Sequence, residues 1–295
     1  MLYLDSFTLA SEKQEAGYIL SFNHKLDMKC YPKDVYPFKI FPQKGLQTLT
    51  FEPITLLYGS NGSGKSTLLN VIAEELELQR NAPFNRTPFY ENYLAFCRYN
   101  TSRGKRIPKE SRILTSEDTF DFLLNIRTIN EGQERRREEL FEDYKRTKEE
   151  SFTLRSLEDY EELKRHIEAK RKTKSVYVSR RMQQDLPTRS NGETAFAFFT
   201  SCIQENALYL LDEPENSLSA ALQLRLAQFL EEAVRFYNCQ LLISTHSPFL
   251  LALKGAKIYD LDASPVIPRK WTELETVRLY RDFFEEHRGE FTEPK

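Results

Sequence analysis

The chain is poor in the residues that build metal frameworks and disulfide scaffolds. Its 295 residues include four cysteines, Cys30, Cys97, Cys202 and Cys239, scattered with no C-x-x-C or Cys/His ligand spacing. That excludes a zinc framework and a disulfide scaffold, and leaves four ordinary intracellular thiols. Histidine is as scarce, at positions 24, 166, 246 and 287. No run of 18 apolar residues occurs, so no membrane-crossing helix is expected. The start, Met1-Leu2-Tyr3-Leu4-Asp5, lacks a signal-peptide profile. Charge of one sign is also missing: the net charge of −2 creates no global field for nucleic acid. Repeats and low-complexity tracts are absent. What remains is the profile of a soluble, cytoplasmic protein of one large or two small domains, with 40% hydrophobic residues to build a core.

The most informative run present is Gly59-Ser60-Asn61-Gly62-Ser63-Gly64-Lys65-Ser66-Thr67, which fills every fixed position of G-x-x-x-x-G-K-[ST]. Before it, Ile54-Thr55-Leu56-Leu57-Tyr58 reads as a strand; after it, Leu68 to Leu76 reads as a helix. Strand, glycine loop and helix are the context a phosphate-binding loop requires. Gly59, Gly62 and Gly64 free the backbone so that successive N–H groups, with Asn61 and Thr67 in the same loop, turn toward a phosphate. The helix N-terminus adds its positive end. Lys65 reaches the β- and γ-phosphates, and Ser66 offers a hydroxyl to Mg²⁺. The expected ligands are ATP and Mg²⁺.

A second run, Ala207-Leu208-Tyr209-Leu210-Leu211-Asp212-Glu213-Pro214, is an apolar strand ending in two carboxylates. Buried parallel strands read as continuous apolar runs, and ligand sites lie at their carboxyl ends. Asp212 is placed to hold Mg²⁺ through water, and Glu213 to orient and deprotonate an attacking water.

Four elements then stand in order. Around Ser190 and Gly192 the chain reads Arg189-Ser190-Asn191-Gly192-Glu193; beyond Glu213 come Glu215-Asn216-Ser217-Leu218-Ser219 and Leu241-Leu242-Ile243-Ser244-Thr245-His246-Ser247. With the loop at 59–67 they resemble the signature, Walker B, D-loop and switch-histidine elements of ABC-class ATPases. The Ser-Asn-Gly-Glu and Ser-Thr-His-Ser forms are similar to those of the soluble branch: the SMC-type and RecF-type ATPases, the OLD family and the small stand-alone bacterial ATPases near them. The resemblance implies an α/β P-loop NTPase fold: an ABC-type ATPase head with a mostly parallel sheet, an N-terminal antiparallel β-layer and a helical insertion. It implies that Lys65 and Ser66 bind ATP-Mg²⁺ in cis, that Ser190 and Gly192 cap the γ-phosphate held by a second subunit, that Glu213 is the general base, that His246 senses the γ-phosphate and that Ser217 crosses the dimer. The family's Q-loop glutamine has no clean counterpart. After Arg112-Ile113-Leu114-Thr115 come Ser116-Glu117-Asp118, so Glu117, Ser116 or Gln79 takes that place.

Three regions are expected: 1–80 as the ATP-binding lobe with Walker A, 81–186 as a helical arm, and 187–295 with the signature, Walker B, switch histidine and a C-terminal helix. Leu2 to Leu9 and Tyr18 to Phe22 alternate apolar and polar residues, and Leu46 to Phe51 is a third strand of the antiparallel layer. Between 81 and 130, Phe84, Phe89, Tyr90, Tyr93, Phe96 and Tyr99 read as a helical core face. Interleaved with Arg98, Arg103, Lys105 and Arg106, they could alternatively stack single-stranded bases. Residues 131–181 hold 15 Lys/Arg and 13 Asp/Glu, a charged arm without the apolar stripe of a long coiled coil. Within it Ser156 and Asp159 read as a helix cap, and Leu157, Tyr160, Leu163 and Ile167 recur near helical spacing. The locally basic end, Lys164 to Arg181, reads as a solvated face or as a contact for nucleic acid. Leu222, Leu226, Leu230 and Val234 mark a later amphipathic helix, and Leu274, Val277 and Phe284 a terminal one.

The expectation is an ATPase that dimerises around ATP and couples hydrolysis to nucleic-acid handling or to control of a separate effector protein, in DNA maintenance or phage defence. The alternatives are an ATP-gated scaffold for a partner toxin or nuclease and, less well matched, the nucleotide-binding subunit of a transporter. With 49 residues after His246, no appended nuclease domain is expected.

Overall fold

The computed structural model describes residues 1–22, 35–149, 160–179, 181–182 and 190–291. His24, Cys30, Ser156, Leu157, Asp159, Arg180 and Arg189 lie outside them. Chain order is β1 (Leu4–Thr8), α1 (Glu12–Phe22), β2 (Thr48–Thr50), β3 (Ile54–Tyr58), α2 (Lys65–Glu75), α3 (Tyr90–Leu94), β4 (Arg98–Thr101), β5 (Arg112–Thr115), α4 (Ser116–Glu149), α5 (Tyr160–Arg171), α6 (Lys174–Ser179), α7 (Asn191–Cys202), β6 (Leu208–Asp212), α8 (Ala220–Phe236), β7 (Gln240–Ser244), α9 (Pro248–Leu251), β8 (Lys257–Asp260), β9 (Pro268–Arg269) and α10 (Glu275–Glu286). Two compact units result, residues 1–119 with 191–295, and residues 120–190. Residues 81–119, grouped with the arm on sequence, thus lie in the first unit.

The first unit holds two sheets. One is antiparallel, in the order β2-β1-β4; the other runs β5-β6-β7-β3-β8-β9. In the larger sheet all neighbouring pairs are parallel except β8 with β9, where Pro268 sits on an edge strand and removes no ladder donor the core needs. The inner strands β3 and β7 are buried at every position, polar Thr55, Gln240 and Ser244 included. Both faces of a parallel sheet are covered, so no polar alternation survives in them. Register then decides where the loops emerge. Leu57 pairs with Ser244, Asp212 also pairs with Ser244, and Tyr58 pairs with Asp260. The carboxyl ends of β3, β6 and β7 therefore lie level, and the segments 59–64, 213–218 and 245–247 leave the sheet side by side.

The two sheets are stitched by Gln240, which is 1% exposed. Its Oε1 accepts from the backbone N–H groups of Tyr3 (2.7 Å) and Leu4 (2.8 Å), and its Nε2 donates to the Leu4 carbonyl (2.8 Å). A buried amide with both ends satisfied fixes register without an unpaired polar group. Tyr90 and Tyr93 are fully buried and Phe89 nearly so, which makes the aromatic segment a core face, as preferred above. Only 90–94 of it is helical; Tyr99 lies on β4 and is 41% exposed.

Tyr18 to Phe22 is not a strand but the end of α1. The start of that helix is a capping box: Gln14 N–H donates to Ser11 Oγ (3.3 Å), and Ser11 N–H donates back to Gln14 Oε1 (2.9 Å). Ser11-x-x-Gln14 outweighs five residues of alternation, which are too few to tell a period of 2 from one of 3.6. Glu15 is buried on this helix; its Oε2 accepts from Lys39 N–H (2.6 Å) while Oε1 has no partner. In α8, Ser219 caps Leu222 N–H, and Leu226, Leu230 and Ala233 are buried. In α10, Leu274 and Val277 are buried, but Phe284 is 54% exposed rather than part of the core.

The second unit has its own small core, in which Leu140, Tyr144, Ala169, Tyr177 and Val178 meet. On α5 the buried side is His166 and Ala169, and Ile167 is exposed. Part of the basic stretch is engaged inside this unit. Lys172 and Arg181 both bind Glu168 (2.7 and 2.8 Å), Lys174 lies over the Phe141 ring and Arg181 over the Tyr177 ring. The two cations hold the Glu168 carboxyl below its ordinary range. Lys164, Arg165, Lys170 and Arg171 are exposed. No helix among the described residues is long and apolar enough to cross a membrane.

Candidate active site

The loop 59–64 arches over the N-terminus of α2. A Cβ on Gly59 would stand 2.6 Å from Ser63 Oγ and 3.2 Å from Leu261 Cβ, so close approach demands glycine there. Gly64 caps α2 at φ 98°, a conformation L side chains resist. Gly62 and Asn61 are exposed on the arch. From outside the motif, Asp262 holds the arch: its carboxylate accepts from Ser60 N–H (2.6 Å) and Ser60 Oγ (2.8 Å). Tyr36 does the same for the far end, its hydroxyl donating to Thr67 Oγ1 (3.1 Å).

Lys65 is 4% exposed and folds back under the arch, donating to the carbonyls of Gly59 (2.8 Å) and Ser60 (3.2 Å). Its Nζ is 3.7 Å from Glu213 Oε1. His246 Nε2 approaches the same oxygen to 3.2 Å, yet it is buried and not aligned for a hydrogen bond with any partner. Glu213 sits at φ 48°, uncommon for a residue with a side chain. It is held there by its N–H to Ser244 (3.1 Å to the carbonyl and to Oγ) and by Asn216 Nδ2 on its Oε2 (3.1 Å).

Asp212, beside it, accepts from Ser66 Oγ (3.1 Å) and from Ser244 Oγ on the same oxygen. Burial pushes its carboxyl up, opposed by the Ser244 and Ser66 hydrogen bonds; the nearby charges of Glu213 and Glu117 push it further the same way. Ser66, Thr67, Asn70, Thr115, Glu117 and Asp212 line a groove of about 770 Å³. Gln79 is committed elsewhere, donating to the Lys109 carbonyl (2.8 Å) and accepting from Arg112 (3.0 Å). Of the three Q-loop alternatives, Glu117 is the one in the groove.

Lys65, Ser66, Asp212, Glu213 and His246 thus converge, with the loop glycines and Thr67 around them. Gly192 lies outside this cluster. Ser190 is exposed just before α7, and Gly192, in the first turn of α7, packs on the backbone of Ser217. Sequence reasoning missed Ser244, Glu215, Asp262 and Tyr36 as parts of the site. Ser244 and Glu215 stood inside the quoted motifs, and their neighbours were the only signal. Asp262 and Tyr36 carry no local signal at all. The residues fit a phosphate chain with a divalent cation. The cradle is glycine-built, Ser63 Oγ and His246 Nε2 are buried without a hydrogen bond, and Ser66 with Asp212 offers Mg²⁺ the oxygen ligands it prefers.

The sheet order, the glycine arch and the carboxylates at the end of β6 define a P-loop ATPase head of the ABC type. The chain belongs to the family described as "AAA domain, putative AbiEii toxin, Type IV TA system", whose model matches residues 72–252. The match begins beyond the 59–67 loop and includes Asp212, Glu213 and His246. Among solved structures, the chain is similar to the SMC head domain from Thermotoga maritima (16% identity, 90% of this chain and 98% of that one, TM-score 0.40). It is also similar to the Pyrococcus furiosus Smc head domain with an extended coiled coil, bound to the C-terminal domain of ScpA (15%, 98% and 100%, TM-score 0.41). No curated protein matches the chain.

Proposed function

We propose that the chain hydrolyses ATP at two composite sites formed when two copies close around nucleotide. The observation that carries this reading is the approach of Lys65 and His246 to one carboxylate oxygen of Glu213, directly beside the glycine arch. In it, the arch N–H groups, the α2 N-terminus and Lys65 bind phosphate oxygens. Ser66 and Asp212 would hold Mg²⁺, which would supply positive charge against the phosphate oxygens. Glu213 accepts a proton from water, and His246 Nε2 donates to the γ-phosphate. Ser190 and Gly192 close over the nucleotide of the second copy. The work is done by opening and closing of the pair. The exposed cations between Lys164 and Arg171 are the candidate contact for nucleic acid.

Phosphate release by the wild type, lost with ATP binding in Lys65→Ala, tests the catalytic part. A second reading is action within a two-protein system with little turnover; it draws on the family description, which makes the member a putative toxin of a Type IV TA system. Turnover stimulated by DNA supports nucleic-acid handling. Stable capture of a partner that nucleotide releases supports the second reading.

A further inference from the structure

Glu215 is a buried carboxylate that the proposed chemistry does not use. It is 8% exposed. One oxygen, Oε1, accepts three hydrogen bonds from three consecutive residues: Thr245 Oγ1 (2.7 Å), His246 N–H (2.6 Å) and Ser247 N–H (3.1 Å). The other oxygen is buried and has no partner. Fold stability alone would not favour this arrangement, because burying a carboxylate with an unsatisfied oxygen is costly. Charge-assisted bonds to the backbone, however, hold a loop more firmly than neutral ones.

The opposite side of Glu215 leads to the segment that follows β6. Leu218 N–H donates to the Glu215 carbonyl (3.0 Å), and Asn216 N–H donates to the Glu213 carbonyl (3.1 Å). Ser217 is held at φ 67°. A Cβ on Gly192 would stand 3.0 Å from the Ser217 carbonyl and 3.0 Å from Leu222 Cδ1, so the first turn of α7 rests directly on this segment. A continuous chain of contacts therefore runs from Gly192 through 216–218 and Glu215 to the backbone of His246. Ser247 fixes its far end, donating from Oγ to Gln223 Oε1 (2.7 Å).

We propose that Glu215 is a positioning residue that ties the 216–218 segment to the His246 loop, so that docking of a second copy on that segment sets His246 at the nucleotide. The proposal rests on the ATPase reading above for its consequence, but not for its geometry. Its reach is the composite site: contact made at one nucleotide is transmitted to the histidine serving the other.

Three measurements test it. In Glu215→Ala, hydrogen exchange at the amides of His246 and Ser247 accelerates while that of Gln240–Ser244 is unchanged. kcat falls by about 10- to 100-fold, as a small misplacement of a catalytic group does, while the Kd for ATP stays within about 2-fold. In a His246→Ala background the same substitution changes kcat by less than about 2-fold, because its effect passes through that histidine. Glu215→Gln keeps the accepting oxygen and retains most activity. Thr245→Val removes one of the three bonds and gives a smaller loss in the same direction, which keeps the test open should Glu215→Ala fail to fold. Unchanged exchange at 246–247, or full multiplication of the Glu215 and His246 effects, overturns the proposal. If the wild type hydrolyses no ATP, the functional reading fails, and the exchange measurement still decides the role of Glu215.

Discussion

At the scale of single residues, the site economises on charge. Lys65 serves the arch carbonyls and Glu213 together, and Ser244 serves both Asp212 and the Glu213 amide. Glu213→Gln keeps the shape and removes the proposed base. Turnover is expected to fall by about 10²-fold or more with ATP binding retained, read by phosphate release and calorimetry; near wild-type turnover would remove the assignment. Ser244→Ala leaves the buried Asp212 with one donor fewer and the Glu213 N–H with only the Ser244 carbonyl. A loss of about 1–2 kcal/mol in urea unfolding is expected, with reduced activity.

At the scale of elements, α1 is the piece whose docking depends on pH. Burial pushes the Glu15 carboxyl up to about 7, against the Lys39 backbone hydrogen bond that favours ionisation. An unfolded glutamate titrates near 4.5. Below that value both states are protonated and the contribution is fully present. As pH rises from about 4.5 to about 7, the unfolded state releases its proton first, and stability is lost. Glu15→Gln, which cannot ionise, should be more stable than the wild type at pH 8, by at most about 3 kcal/mol. The gap should close at pH 4, in paired urea titrations. A wild type whose stability rises between pH 5 and 7 relative to that variant would contradict the burial argument. The same helix shows how strongly short signals compete. Its capping box, Ser11 with Gln14, is a real start signal that the neighbouring alternation obscured.

At the scale of the whole molecule, the predictions concern two copies. Lys65→Ala and Ser190→Arg should each be inactive alone, the first for want of nucleotide binding and the second because a bulky cation blocks closure. Mixed, they can form one site with both wild-type residues, and partial recovery of phosphate release is expected. No recovery means that hydrolysis needs both sites. Light scattering of Glu213→Gln with ATP then arbitrates: persistent monomer at high concentration would end the dimer mechanism. Reversal of Lys164, Arg165, Lys170 and Arg171 should weaken any nucleic-acid binding across all sequences and flatten its salt dependence. Titration at low salt, with and without ATP, checks this; absence of binding by the wild type shifts the case to effector control.

The sequence by itself determined the glycine arch, the carboxylates at the end of β6 and the position of His246 after the next strand. Each is a contiguous run whose local geometry carries the chemistry: glycines that turn N–H groups inward, and an apolar strand that must end at a ligand edge. Only the tertiary structure decided that Glu117, rather than Ser116 or Gln79, lines the groove that Ser66 also lines, that Glu215 holds the His246 loop, and that Asp262 and Tyr36 brace the loop from 202 and 31 residues away. Apart from Tyr36, which lies on no strand, these residues follow β5, β6, β7 and β8, whose register with β3 brings distant loops level, and no window along the chain contains that register. Burial was divided in the same way. The aromatics of α3 read as core because they cluster in sequence. The exposure of Phe284 could not be read, because whether an apolar stripe is covered depends on what the rest of the chain brings to it.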